Sequence, residues 1–203
     1  MDGALRRSRE AAQRLRLLDG LAESIREKGL GETQVNDVVR HAATSKRTFY
    51  KHFVDKDACF VELARLLSDE VHATVVAAID PTADWERQVS AAISAYLESL
   101  ASDPALTLTF SSTTLGPTVV RAQRDAMEQY AAMVVAISAG PAFHDAGVEP
   151  ISFERAYMLV CGLGMTVMRA AEHGDDIVAL APDLIAVFEA ALRHGPVPTH
   201  SRR

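Results

Sequence analysis

A chain of 203 residues, 48% hydrophobic and 24% charged, is long enough to bury a core and lacks the composition of a disordered polymer. Its formal charge of −6 hides a division: residues 1–56 hold 12 Lys and Arg against eight Asp and Glu, and residues 57–203 hold nine against 19. That basic head on an acidic body keeps attraction for a polyanion local, while the longest apolar stretch, 156–171, is too short to span a bilayer and carries Arg169. Arg6, Arg7 and Arg9 are followed by no apolar signal core, so the expected location is the cytoplasm and no membrane partner is expected.

Every element reads as helical, in an all-α chain without strand alternation. Ala11, Leu15, Leu18, Ala22 and Ile25 recur at the 3.6-residue period and predict a helix over 8–28, which Gly29 stops. A second helix begins after Thr33 with Val35, Val38, Val39 and Ala42, and a third is capped by Ser45 and runs to His52. Asp55 caps a long fourth helix, with Phe60, Leu63, Leu67 and Val71, which Asp80-Pro81 ends. Helices over 82–102, 104–114, 118–138, 152–173 and 176–194 follow, with 140–150 as a turn-rich loop. The predicted organisation is a three-helix helix-turn-helix head, 1–56, joined by the long helix to a helical regulatory and dimerisation body, 57–203.

Residues 44–53 read Thr-Ser-Lys-Arg-Thr-Phe-Tyr-Lys-His-Phe. A capping serine, adjacent cations, a small hydroxyl and a tyrosine on two helical turns suit a helix that enters a DNA major groove. Lys46 and Arg47 can donate to guanine O6 and N7, and Thr48 can meet a thymine methyl or a phosphate. Thr33 and Gln34 at the start of the second helix, Thr44 and Ser45 before the third, and Lys56 at the start of the fourth lie where helix N-termini favour phosphate. The turn between the two short helices calls for φ > 0, where Ala43 is strained by about 1 kcal/mol relative to Gly.

The run Ala42-Ala43-Thr44-Ser45, Thr48-Phe49-Tyr50, His52-Phe53 and Lys56-Asp57 resembles the tetracycline-repressor (TetR) family of transcriptional regulators. The chain departs from that family's pattern at Ala43, where it has glycine, at Thr44, where it has valine, and at Phe49, where it has leucine. The resemblance implies that Tyr50 and His52 grip the DNA backbone. It further implies a homodimer on a palindromic operator, with a small-molecule effector in the body. Aromatic and thioether residues of the body, Trp85, Tyr96, Phe110, Met127, Tyr130, Met133, Met158 and Met165, are candidates to line the effector site. With no buried carboxylate evident, an uncharged or weakly polar ligand is expected.

The last two helices carry more apolar surface than one body covers, which reads as a four-helix dimer interface. Val160, Gly164, Val167, Leu180, Leu184, Val187, Phe188 and Ala191 are its candidates. An alternative is that both helices are core. A helical enzyme, or an interaction module without regulatory DNA binding, are the alternatives of function. The enzyme would need a constellation that the scattered His72, His144, His173, His194 and His200 do not make. Cys59 and Cys161 build neither a metal nor a disulfide framework, and no cofactor, metal or catalytic residue is expected.

Overall fold

The computed structural model describes residues 2–111 and 116–193, with side chains described for 8–109 and 116–193. Among these the chain forms ten α-helices: α1 Asp2–Glu32, α2 Val35–His41, α3 Lys46–His52, α4 Lys56–Ala78, α5 Trp85–Ala101, α6 Pro104–Ser111, α7 Pro117–Ser138, α8 Pro141–Asp145, α9 Phe153–His173 and α10 Ala181–Arg193. No strand occurs among the described residues, as the sequence predicts. Gly29 interrupts α1 at φ 77°, a backbone conformation open to glycine. Asp55 caps α4 by accepting from the Ala58 N–H at 2.7 Å.

Two differences from the expected elements have local causes. The loop expected over 140–150 contains α8, because Pro141 sits where its missing N–H is harmless and Phe143 buries itself against Trp85, ring centroids 5.7 Å apart. The last helix starts at Ala181 rather than Asp176: a 3₁₀ turn, Val178–Leu180, precedes it, and Asp176 accepts from the Val178 N–H at 2.9 Å.

The head core is filled by Leu17, Leu21, Ile25, Val38, Phe49 and Phe60, all fully buried. Helices α1 and α2 cross so closely that a Cβ on Gly20 would lie 2.6 Å from the Val38 carbonyl oxygen. This core continues through Leu63 of α4 to Leu106 of α6 and to Val119 and Ala122 of α7. The boundary expected at Lys56 therefore runs through a shared core, since α4 belongs to both halves. The body core gathers Trp85, Ile93, Leu97, Phe143, Val167, Leu184 and Phe188 from α5, α8, α9 and α10.

The expected dimer face needs correction. Val160, Val167, Leu184 and Phe188 are buried within the chain's own body, so they are not available to a second copy. Gly164, Leu180 and Ala191 are half-buried. Of the eight candidates only Val187 is well exposed, at 54%. The apolar residues that α9 and α10 leave outside include Phe153, Met158 (65% exposed), Gly162, Met165 (59% exposed) and Val187. Because α9 is apolar nearly all round, periodicity could not say which side faces the body, and the sequence reading chose the inner one.

Candidate DNA interface and body cavity

The turn into α3 is built by backbone and cap. Ala43 takes φ 47°, the positive φ anticipated from the sequence, and the Thr44 N–H returns to the Val39 carbonyl at 2.9 Å. Ser45 Oγ then accepts from the Thr48 N–H at 3.2 Å and lies 3.1 Å from Thr48 Oγ1. Phe49 and Phe53 point inward, ring centroids 5.7 Å apart, and fix the roll of α3. That roll leaves Lys46, Arg47 and Tyr50 on the outside, with Tyr50 57% exposed and its ring set edge-on to Phe49. Thr44 and Thr48 are half-buried beside them.

Lys46 and Arg47, like Arg9 and Arg16 of α1, have no acidic partner among the described residues, and they are the two that stand at the start of α3. Other head cations are paired: Lys28 with Asp37 at 2.8 Å, Arg40 with Glu27 at 2.7 Å and Lys51 with Glu10 at 3.0 Å. His41 also meets Glu27, at 2.9 Å. Two cations without partners at the start of an exposed helix keep their attraction for an external anion.

Three expected contacts are placed differently. Thr33 is buried, and both its N–H (3.2 Å) and its hydroxyl (2.7 Å) donate to the Gly29 carbonyl, so it presents no donor to phosphate. Lys56 turns inward: its Nζ donates to the Leu30 carbonyl at 2.6 Å and to the Thr33 carbonyl at 2.8 Å, closing the chain reversal after α1. His52 is half-buried against α1, its Nε2 3.4 Å from Gln13 Oε1. Burial first, then the charges of Lys51 and Arg14, hold the His52 imidazole below its ordinary pKa. Gln34 stays exposed at the N-cap of α2, its N–H given to Asp37 Oδ2 at 2.9 Å.

One organising residue escaped the sequence reading. Arg14 of α1 pairs through both Nε and Nη2 with Glu62 of α4, donates from Nη1 to the His52 carbonyl at 3.3 Å, and lies over the Phe53 ring at 4.7 Å. It locks α1, the end of α3 and α4 together. Arg14 and Glu62 lie far apart in sequence, so no local spacing announces the pair.

The body holds a cavity of about 70 Å³ lined by residues of α4, α5, α7, α9 and α10 and by Phe143 of α8. Of the expected lining, Tyr96, Tyr130 and Met133 are on its wall. Trp85 stands behind Phe143, and Met127 packs under Gly164, where an added Cβ would meet Met127 Sδ at 3.8 Å. Met158 and Met165 lie on the outer face and are no part of the cavity, and the Phe110 side chain lies outside the described residues. Val160 and Phe188, expected at the dimer face, line the cavity instead. The aliphatic wall residues Val75, Val89, Ala92, Ile93, Val134, Ile137, Leu163 and Leu192 were missed, because aliphatic side chains on a helix carry no signal that separates cavity from core.

The cavity touches α4 directly. Val75 is on its wall, and Tyr130 O–H donates to the Ser68 carbonyl at 3.2 Å while Ser68 Oγ donates back to Tyr130 at 3.4 Å. Among the described residues no three His, Cys, Asp or Glu gather as a metal site, and no helix is long and apolar enough to cross a membrane. Cys59 is buried, which pushes its thiol up to about 12, and Cys161 is half-buried; both are free.

A three-helix head with an exposed, cation-bearing third helix, carried on a helical body, has the arrangement of a helix-turn-helix domain. Residues 17–63 match the family described as bacterial regulatory proteins, tetR family. Over about nine-tenths of its length the chain has the fold of solved structures of such regulators. The transcriptional regulator FadR from Bacillus subtilis, in complex with stearoyl-CoA, is 17% identical over 90% of this chain and 99% of its own, with a TM-score of 0.70. The fatty acid degradation regulator FadR from Bacillus halodurans is 16% identical over 90% and 97%, with a TM-score of 0.69. A bacterial regulatory protein in the tetR family from Rhodococcus RHA1 is 17% identical over 91% and 98%, with a TM-score of 0.66. No curated protein matches the chain with significance. Residues 17–63 are thus similar to the tetR-family head, and the fold is that of solved tetR-family regulators.

Proposed function

We propose that the protein is a cytoplasmic, homodimeric repressor that leaves a palindromic operator when a small, largely apolar ligand fills the body cavity. The observation that carries this reading is the exposed trio Lys46, Arg47 and Tyr50, whose two cations have no acidic partner among the described residues. Lys46 and Arg47 would read base edges, while Tyr50, Gln34, Thr44, Ser45 and Thr48 would hold phosphate or a thymine methyl. His52 supports α3 from behind, and Lys56 supports the turn, rather than touching DNA.

Dimer formation is favoured by the exposed stripe Met158, Gly162 and Met165 of α9 and by the exposed Val187 of α10. Two heads related by a dyad read half-sites about 34–36 Å apart, which calls for an inverted-repeat operator. Switching follows from α4, whose first turns are in the head core and whose Val75 and Ser68 meet the cavity and Tyr130. Filling the cavity shifts α4 and with it the spacing of the heads, and by linkage operator and ligand weaken one another equally. FadR of Bacillus subtilis in complex with stearoyl-CoA is a precedent for a ligand with a long apolar chain in this fold.

The test is operator binding by a Lys46→Ala, Arg47→Ala, Tyr50→Ala variant in fluorescence anisotropy. Its affinity is expected to fall by at least a hundredfold, on the order of 1–3 kcal/mol for each base-reading cation, with a shallower salt dependence. Unchanged affinity removes α3 from the interface. Val187→Asp, at an exposed position of α10, is expected to give a folded monomer in sedimentation with weak operator binding; a dimer of wild-type strength would move the interface elsewhere.

A further inference from the structure

Resting on the reading of the head as a DNA-binding unit, we infer that α1 carries a second contact surface: a phosphate track of Arg9, Gln13 and Arg16 beside α3. The cations of α1 divide into two kinds. Arg14 pairs with Glu62, Arg26 with Glu23 at 2.7 Å and Asp103 at 2.6 Å, and Lys28 with Asp37 at 2.8 Å. Arg9 and Arg16 are exposed and have no acidic partner among the described residues. Positions 9, 13 and 16 follow the helical repeat and so share one face. Together with the small Ala12, these three residues line a hollow on the surface of the head. Two guanidinium groups on either side of a hollow present forked donors to an anion that enters it.

The position of this face selects the anion. The same turns of α1 sit on the end of α3: Lys51 Nζ is 3.0 Å from Glu10 Oε1, and His52 Nε2 is 3.4 Å from Gln13 Oε1. The track therefore borders the helix that bears Lys46, Arg47 and Tyr50. A helix lying in a major groove is flanked by phosphates, and cations to its side meet those rather than base edges. The end of α3 has little charge of its own to offer them, because Lys51 is committed to Glu10 and His52 is turned toward Gln13. Arg9 and Arg16 supply it from the neighbouring helix. Seven residues separate them, about 10 Å of helix axis, which matches about three steps of 3.4 Å along one DNA strand. Such contacts add affinity and fix the head's orientation without reading sequence.

The test is binding of the full chain to random-sequence duplexes of about 30 base pairs, followed by fluorescence anisotropy over a range of salt. An Arg9→Gln, Arg16→Gln variant should lose about 0.9 of the slope of log affinity against log salt for each arginine in each bound head. Each single variant should lose half of that, and Arg9→Lys, Arg16→Lys, which keeps the charge, should retain the slope. Base preference in sequences selected from a random pool should be that of the wild type. Arg87→Gln, Arg121→Gln removes two exposed cations of α5 and α7 and should leave the slope unchanged. An equal loss in that control would assign the effect to net charge and overturn the track. A wild-type slope in Arg9→Gln, Arg16→Gln, from a protein that still selects one site, overturns the track and leaves the reading of α3 standing. Loss of binding to phosphatidylglycerol vesicles with an unchanged DNA slope would give this face to a membrane instead, and also overturns it. A wild-type chain that binds no duplex overturns both the track and the reading of the head.

Discussion

The head and the body are both made of helices, yet they use their inner faces in opposite ways. In the head, Phe49, Phe60, Leu17, Leu21 and Val38 fill the space between α1, α2, α3 and α4, and Gly20 lets two backbones approach to contact distance. Its outer face then holds two cations without partners in a fixed position. In the body, α5, α7, α9 and α10 stand apart around a cavity whose walls are well packed outside and empty inside. A filled unit suits a fixed recognition surface, because nothing in it gives. A unit with a void holds a state that a ligand can change. Helix α4 joins the two, and its length is what lets one unit answer the other.

The largest expected effect comes from reversing these packings. Phe49→Ala should destabilise the head by about 3–5 kcal/mol, because the deleted ring is fully buried and its neighbours are backbone-locked. Ala92→Leu in the body should instead stabilise by about 0.5–2 kcal/mol by filling the void. Thermal melts followed by circular dichroism check both signs; a body that loses stability on Ala92→Leu would mean that the cavity is not open to a larger side chain.

Next in size is Lys56→Met. Removing the ammonium strands the Leu30 and Thr33 carbonyls, so stability should fall by about 1–3 kcal/mol while the salt dependence of DNA binding stays as in the wild type. A salt slope reduced by about one charge would return Lys56 to the phosphate backbone. Ala43→Gly should stabilise the head by about 1 kcal/mol by relieving φ 47°, as measured in urea.

The smallest effect is a pH dependence. Burial and the cations Lys51 and Arg14 lower the His52 pKa in the folded head, with Glu10 and Glu62 opposing them. The unfolded chain therefore binds more protons below its ordinary value of about 6.5, so stability is intact above that pH and declines as pH falls through it. His52→Gln should flatten that decline in urea titrations between about pH 7 and 5.

Legibility in the sequence divides along the same line. In the head, cap residues act locally: Ser45 bonds three residues ahead, Asp55 does the same, and Gly29 and Ala43 mark positive φ, so periodicity and caps placed every helix. Exposure of Lys46 and Arg47 followed from Phe49 and Phe53 facing inward. Lys56 and Thr33 were misread because their partners are backbone carbonyls that no side-chain pattern reveals. In the body the pattern fixed helices but not sides. Met158 and Met165 were sent inward and Val160 and Phe188 outward, because an apolar helix between a core and a second surface has no polar face to orient it. The Arg14–Glu62 pair was out of reach, as it depends on how α1 and α4 meet.

The most direct test of the central claim, a rigid reading head paired through a yielding body, is selection of bound sequences from a random DNA pool by the intact protein. The account predicts one enriched site made of two inverted half-sites with centres about 34–36 Å apart or a multiple of that, lost when Lys46 and Arg47 are both replaced by Ala. Enrichment of a single half-site with no dyad, or a site retained by that double variant, would contradict it.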